Sequence, residues 1–146
     1  MARPKDYHDL IVWQKAMVLS KHAYKLSAEL PRKETYGLQS QMRKAAISVP
    51  SNIAEGHGRL SDLQFRHFLG NARGSIYELQ TQFELATDLG FFDRSATIPL
   101  LEESAEVSRL LNAFIAALSP DRNKQSASTR PASSASTASP AQKAHP

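Results

Sequence analysis

The chain has no cysteine, so it can build no disulfide framework, no thiolate zinc site and no cysteine nucleophile, and it suits a reducing compartment. No unbroken aliphatic stretch approaches the roughly 18 to 20 residues that a membrane span needs, and the opening MARPKDYHDL lacks the apolar core of an export signal. These absences predict a soluble, unexported protein of the cytoplasm with no membrane partner. Glycine and proline are sparse between Asp6 and Leu118 except at a few clustered places. The segments between those clusters repeat their apolar residues at spacings of three and four rather than two, which excludes strands and predicts an all-α body.

Four helices follow from that periodicity. The first is expected over about Asp6–Leu30, stopped by Pro31, with Leu10, Trp13, Met17, Ser20, Tyr24 and Ser27 on one stripe. Val12, Ala16, Leu19, Ala23, Leu26 and Leu30 form a second stripe beside it. Two adjacent seams are more than one neighbouring helix covers, which favours a bundle that also associates with itself. The second helix starts near Tyr36, aligns Leu38, Met42, Ala45, Val49 and Ile53, and ends at Gly56 and Gly58, with Pro50 expected to kink it. The third opens on a Ser61–Gln64 capping box and runs to Leu89 with Gly90 just past its end; its core line is Phe65, Phe68, Ala72, Ile76, Leu79, Phe83 and Ala86. The fourth takes Thr97 as its cap, tolerates Pro99 in its first turn, and buries Leu100, Ser104, Val107, Leu111, Phe114 and Leu118. Short connections make an antiparallel up-down-up-down four-helix bundle over residues 1–118.

Residues 119–146 differ in kind. They hold seven Ser, six Ala, four Pro and two Thr, with no Val, Ile, Leu, Met or aromatic residue. Such a segment has nothing to bury against its ordering entropy and is expected to be a disordered basic tail. The net charge of +4 is unevenly spread: the tail carries +3, residues 1–59 carry +5 and residues 60–118 carry −4.

Catalytic constellations are missing. The histidines His8, His22, His57, His67 and His145 show no metal-binding spacing, no serine sits in a nucleophile turn, and Glu102, Glu103 and Glu106 read as a solvated helix face. The run Gly70–Ser75 lacks the lysine and the strand of a phosphate-binding loop, so Gly70 and Gly74 are expected to admit a close backbone approach. No enzyme, cofactor or metal is therefore expected. The excess positive charge comes from Arg32, Lys33, Arg43, Lys44 and Arg59, which suit phosphate neutralisation. Each also has a structural role open to it: Arg32 and Lys33 follow a helix end, and Arg59 pairs with Glu55 if the helix persists that far. Ile47 lies between Arg43 and Lys44 on an outward face, while Tyr7, Tyr24, Tyr36 and Trp13 are assigned to packing rather than to base stacking.

The stretches GLQSQMRKAAISVPSNIAEGHGR (37–59) and QFRHFLGNARGSIYELQTQFELATDLGFF (64–92), with DLIVWQKA (9–16) upstream, closely resemble the four-helix-bundle family encoded in intervening sequences of 23S ribosomal RNA genes. The likeness spans residues 7–118 and extends to accessory proteins of diversity-generating retroelements. It implies a homopentamer with a basic surface and no enzymatic activity; in the retroelement relatives it implies binding to RNA or DNA and to a reverse transcriptase. The family signature falls on Ser48–Gly56, with Pro50, Asn52, Glu55 and Gly56 in register and Arg59 following; Gly74 occupies a second family position beside Arg73. Read from the residues alone, Asn52 and Glu55 satisfy backbone groups freed by Pro50, bond a neighbouring helix, or touch a ligand. The expected function is a non-catalytic oligomeric bundle that binds RNA or DNA, including as an accessory to a reverse transcriptase; the alternative is a protein-interaction scaffold.

Overall fold

A computed structural model describes residues 4–119, and the expected tail at 119–146 lies outside the described residues apart from Ser119. Four helices make up the body: α1 (Ile11–Ser27), α2 (Leu38–His57), α3 (Asp62–Asp88) and α4 (Arg94–Ala117). No strand occurs among the described residues. Each helix packs on the next, and α1 closes the ring against α4, which gives the up-down-up-down bundle.

The core holds the second α1 stripe in full, Met42, Ala45, Val49 and Ile53 of α2, and Leu100, Ser104, Val107 and Leu111 of α4. On α3 the buried line passes through Leu69, whereas the expected Phe68 is only partly covered. The first α1 stripe is mostly absorbed within the chain. Trp13, Met17 and Ser20 are half-buried on the flank facing α2, and only Tyr24 is exposed.

Helix ends show which local signals won. Asp6 does cap, accepting the His8 N–H at 3.0 Å, but it caps a single 3-10 turn over Tyr7–Asp9. Extended backbone at Leu10 (φ −73°, ψ 119°) then separates that turn from α1, so the helix starts at Ile11. At the other end α1 stops at Ser27, short of the expected Leu30: the N–H groups of Ala28, Glu29 and Leu30 bond three residues back, at 3.2, 3.0 and 3.2 Å, and Pro31 has no N–H to carry the helix on. Ser61 caps α3 by accepting the Gln64 N–H at 3.2 Å, which is one half of the expected box; the Gln64 side chain makes no return bond among the described residues. The end of α3 is a Schellman motif: Gly90 takes φ 78°, with Phe91 N–H bonded to Ala86 O and Gly90 N–H to Thr87 O. The fourth helix begins four residues early, with Asp93 at the cap position and Arg94 as its first residue. Thr97 is thus inside it, buried, with its hydroxyl donating to Arg94 O at 3.1 Å and accepting from Thr87 at 3.1 Å.

Pro50 sits inside α2 and removes the N–H that the Ala46 carbonyl would have accepted. Neither Asn52 nor Glu55 replaces it. The Ser20 hydroxyl of α1 donates to Ala46 O at 2.6 Å instead. Asn52 Nδ2 reaches back to the carbonyl and the hydroxyl of Ser48, each at 2.8 Å, and that hydroxyl shares a hydrogen bond with Ser75 of α3. At Gly56 α2 lies close on α3: a Cβ there would lie 2.7 Å from Phe68 Cβ and 3.0 Å from Phe65 Cδ1. At Gly70 and Gly74, where close approach was expected, a Cβ would meet nothing within 4 Å.

Candidate nucleic-acid interface

The five candidate cations fall in two places. Arg32 and Lys33 lie on a 3-10 turn between α1 and α2, and Arg43 and Lys44 lie near the start of α2. Arg59 follows the far end of α2, about 24 Å further along at 1.5 Å per residue. The fold therefore sets Arg59 apart from the other four along the bundle.

Arg59 is held by its own neighbours. Its guanidinium donates to Glu55 at 2.8 Å, as the spacing allows, and lies 4.6 Å from the centre of the Phe68 ring. With Leu63, Gln64 and His67 it lines an open hollow of about 400 Å³, beside which Leu60 is fully exposed. Arg43 is tethered as well: its Nε donates to the Ser27 hydroxyl at 2.9 Å and its charge sits 4.7 Å from the Tyr24 ring. Lys33 stands 5.5 Å from the Phe91 ring centre. Arg32 and Lys44 are exposed, and the side chain of neither has a partner among the described residues.

Two further cations were missed. Lys21 and Lys25, one turn apart on α1, are exposed and flank the Tyr24 that Arg43 covers. The signal was present in part: no carboxylate occurs between Asp9 and Glu29, so only Glu29, four residues after Lys25, is spaced to compensate this pair. From residue 21 to residue 44 the chain carries six cations against Glu29 and Glu34. Glu34 is partly withdrawn, its carboxylate accepting the Leu38 N–H at 3.2 Å.

Some charges elsewhere are paired, while Lys5, Arg66, Arg94 and Arg109 are exposed with no ion pair among the described residues. Lys15 bridges to Glu106 of α4 at 2.8 Å and His22 to Glu103 at 2.8 Å. The hydrogen bond from Lys15, reinforced by its charge, holds the Glu106 carboxyl below its ordinary pKa. The backbone N–H of His8, with its ring, does the same for Asp6. Arg73 is occupied with Asn112 of α4 at 2.9 Å, while Ile47 is 48% exposed next to Lys44. Among the described residues no cluster of three or more His, Cys, Asp or Glu side chains is placed to hold a metal, and no helix is long and apolar enough to cross a membrane.

The family model of the 23S rRNA-intervening sequence proteins matches residues 8–113, which takes in all four helices apart from the last residues of α4. The chain belongs to that family. Its fold is shared with a protein of unknown function from the S23 ribosomal protein family of Bacteroides thetaiotaomicron VPI-5482, known from a crystal structure. The TM-score is 0.68 at 21% identity, covering 72% of this chain and 98% of that one. No curated protein matches the chain.

Proposed function

We propose that this member of the family is a non-catalytic, self-associating helical bundle that binds RNA or DNA through phosphates on its α1–α2 side. The observation that carries the reading is the set Lys21, Lys25, Arg32, Lys33 and Lys44: all exposed, and none ion-paired among the described residues. Exposed, unpaired cations cost little to transfer to phosphates, and counterion release makes the resulting affinity fall steeply with salt. Arg43 supports the surface from beneath, and Arg59 is outside it. An accessory role beside a reverse transcriptase fits such a surface and rests on the family resemblance alone.

The test is duplex DNA and structured RNA binding by the full chain across a salt series. Joint reversal of Lys21, Lys25 and Lys44 to Glu is expected to abolish measurable binding, while Arg59→Glu leaves most of it. Equal affinity for the triple variant and the parent would overturn the assignment. A second reading, a protein-interaction scaffold, is favoured by the fully exposed Leu60 and the exposed Leu63 beside the hollow at the α2–α3 corner. Under that reading Leu60→Asp changes the mass of the particle in solution and charge reversal does not.

A further inference from the structure

Tyr36 is 96% exposed, against the expectation that it packs. It is the most exposed aromatic residue described, and its side chain has no hydrogen bond or ring contact among the described residues. An aromatic ring ordinarily contributes to folding by burying a large area, and here it contributes none. Single exposed apolar side chains are common, but the setting of this one is specific. It stands in the loop that carries Arg32 and Lys33, at the entry to the helix that carries Lys44.

The loop is a built platform rather than a loose tip. Glu34 N–H bonds to Pro31 O at 2.8 Å, Thr35 bonds to Arg32 O through both its N–H (3.1 Å) and its hydroxyl (2.8 Å), and Gly37 N–H bonds to Glu34 O at 3.1 Å. Glu34, the loop's carboxylate, is turned onto the Leu38 N–H, so it competes weakly for a phosphate. Lys33 is steadied against the Phe91 ring. An exposed ring on a hydrogen-bonded backbone, in a loop that also carries two cations, is a combination suited to unpaired nucleotides, because every base offers a π-face while the backbone supplies the negative charge.

We propose that Tyr36 is a stacking platform for an unpaired base, with Arg32 and Lys33 taking the flanking phosphates, so that this surface prefers single-stranded nucleic acid. The inference rests on the phosphate-binding reading and sharpens it. A duplex keeps its base faces stacked on one another and offers Tyr36 nothing.

The experiment compares oligothymidylate, oligouridylate and a DNA duplex of equal length on the full chain, with Tyr36→Ala, Tyr36→Phe and Tyr36→Trp. The alanine variant is expected to weaken both single strands roughly five- to 150-fold at an unchanged salt slope and to leave the duplex unaffected. Phenylalanine keeps the single-strand affinity, and the tryptophan fluorescence of the Tyr36→Trp variant is quenched on oligothymidylate binding beyond what the parent shows. If Tyr36→Ala binds the single strands as the parent does, or loses single strands and duplex alike, the stacking role is wrong while the phosphate surface stands. If the parent binds none of the three ligands, both readings fall.

Discussion

Ser20 and Pro50 form a compensated defect. The proline deletes one α2 hydrogen bond and the α1 hydroxyl fills the acceptor it leaves, so the cost of losing Ser20 depends on Pro50 being present. Ser20→Ala is expected to destabilise the protein by about 1–3 kcal/mol, the cost of a buried carbonyl left without a partner. In a Pro50→Ala background, where residue 50 regains its N–H, the same change is expected to cost clearly less. A double-mutant cycle by urea unfolding measures the difference, and additive effects would show that Ser20 does not serve the freed carbonyl. The glycines separate just as cleanly. Gly56→Ala forces a Cβ into Phe68 and Phe65, and is expected to cost about 1–3 kcal/mol. Gly74→Ala meets open space on a right-handed helix and is expected to stabilise the single bundle by about 0.5–1 kcal/mol. A Gly74→Ala protein that unfolds more easily, or changes its mass in solution, would mean that another copy covers that face.

At the scale of the helix, a signal was readable when both of its partners lay within about one turn of each other. The Ser61 cap, the Gly90 terminus and the Glu55–Arg59 pair all have that property, and all are found. What failed needed knowledge of which flank faces which neighbour. Ser20 with Ala46, Arg43 with Ser27, Lys33 with Phe91 and Thr97 with Thr87 span different elements, and no spacing along one helix announces them. The start of α4 failed for the same reason, since a threonine that reads as a cap is occupied inside the bundle by a hydroxyl from α3. For the candidate interface, charge counting located the basic half but not its free members, because tethering of Arg43 and Arg59 depends on tertiary neighbours. The α1–α4 seam offers a check through Glu106, whose lowered pKa comes from the Lys15 hydrogen bond and then from its charge. A carboxyl held below its unfolded value stabilises the fold at pH above the ordinary carboxylate range, and that contribution fades as pH falls through the lowered value. Lys15→Met is expected to return Glu106 to the ordinary range in an NMR titration; an unmoved titration would assign the shift to something other than Lys15.

For the whole molecule, the antiparallel ring turns a dipole in sequence into one in space. The basic first half becomes the α1–α2 side, and the acidic second half the α3–α4 side. The α1–α2 side of one bundle thus offers a duplex five exposed cations that have no ion pair among the described residues: Lys21, Lys25, Arg32, Lys33 and Lys44. If each neutralises one phosphate, log affinity falls against log salt with a slope of about −4.5 at most, at roughly 0.9 per contact. That is the ceiling for contact through the α1–α2 side alone; Lys5, Arg66, Arg94 and Arg109 would raise the ceiling for a bundle contacted on every side to about −8. Deleting residues 119–146 removes four cations and one anion and is expected to lower the slope of the full chain by no more than about 3.6 while leaving binding intact. A slope for the shortened protein that is still steeper than one bundle contacted on every side allows would require several copies to contact the same duplex, and sedimentation of the complex would then show a multiple of the single-chain mass. A slope near zero for the shortened protein would instead assign all nucleic-acid affinity to the segment beyond Leu118 and leave the helical body as a scaffold.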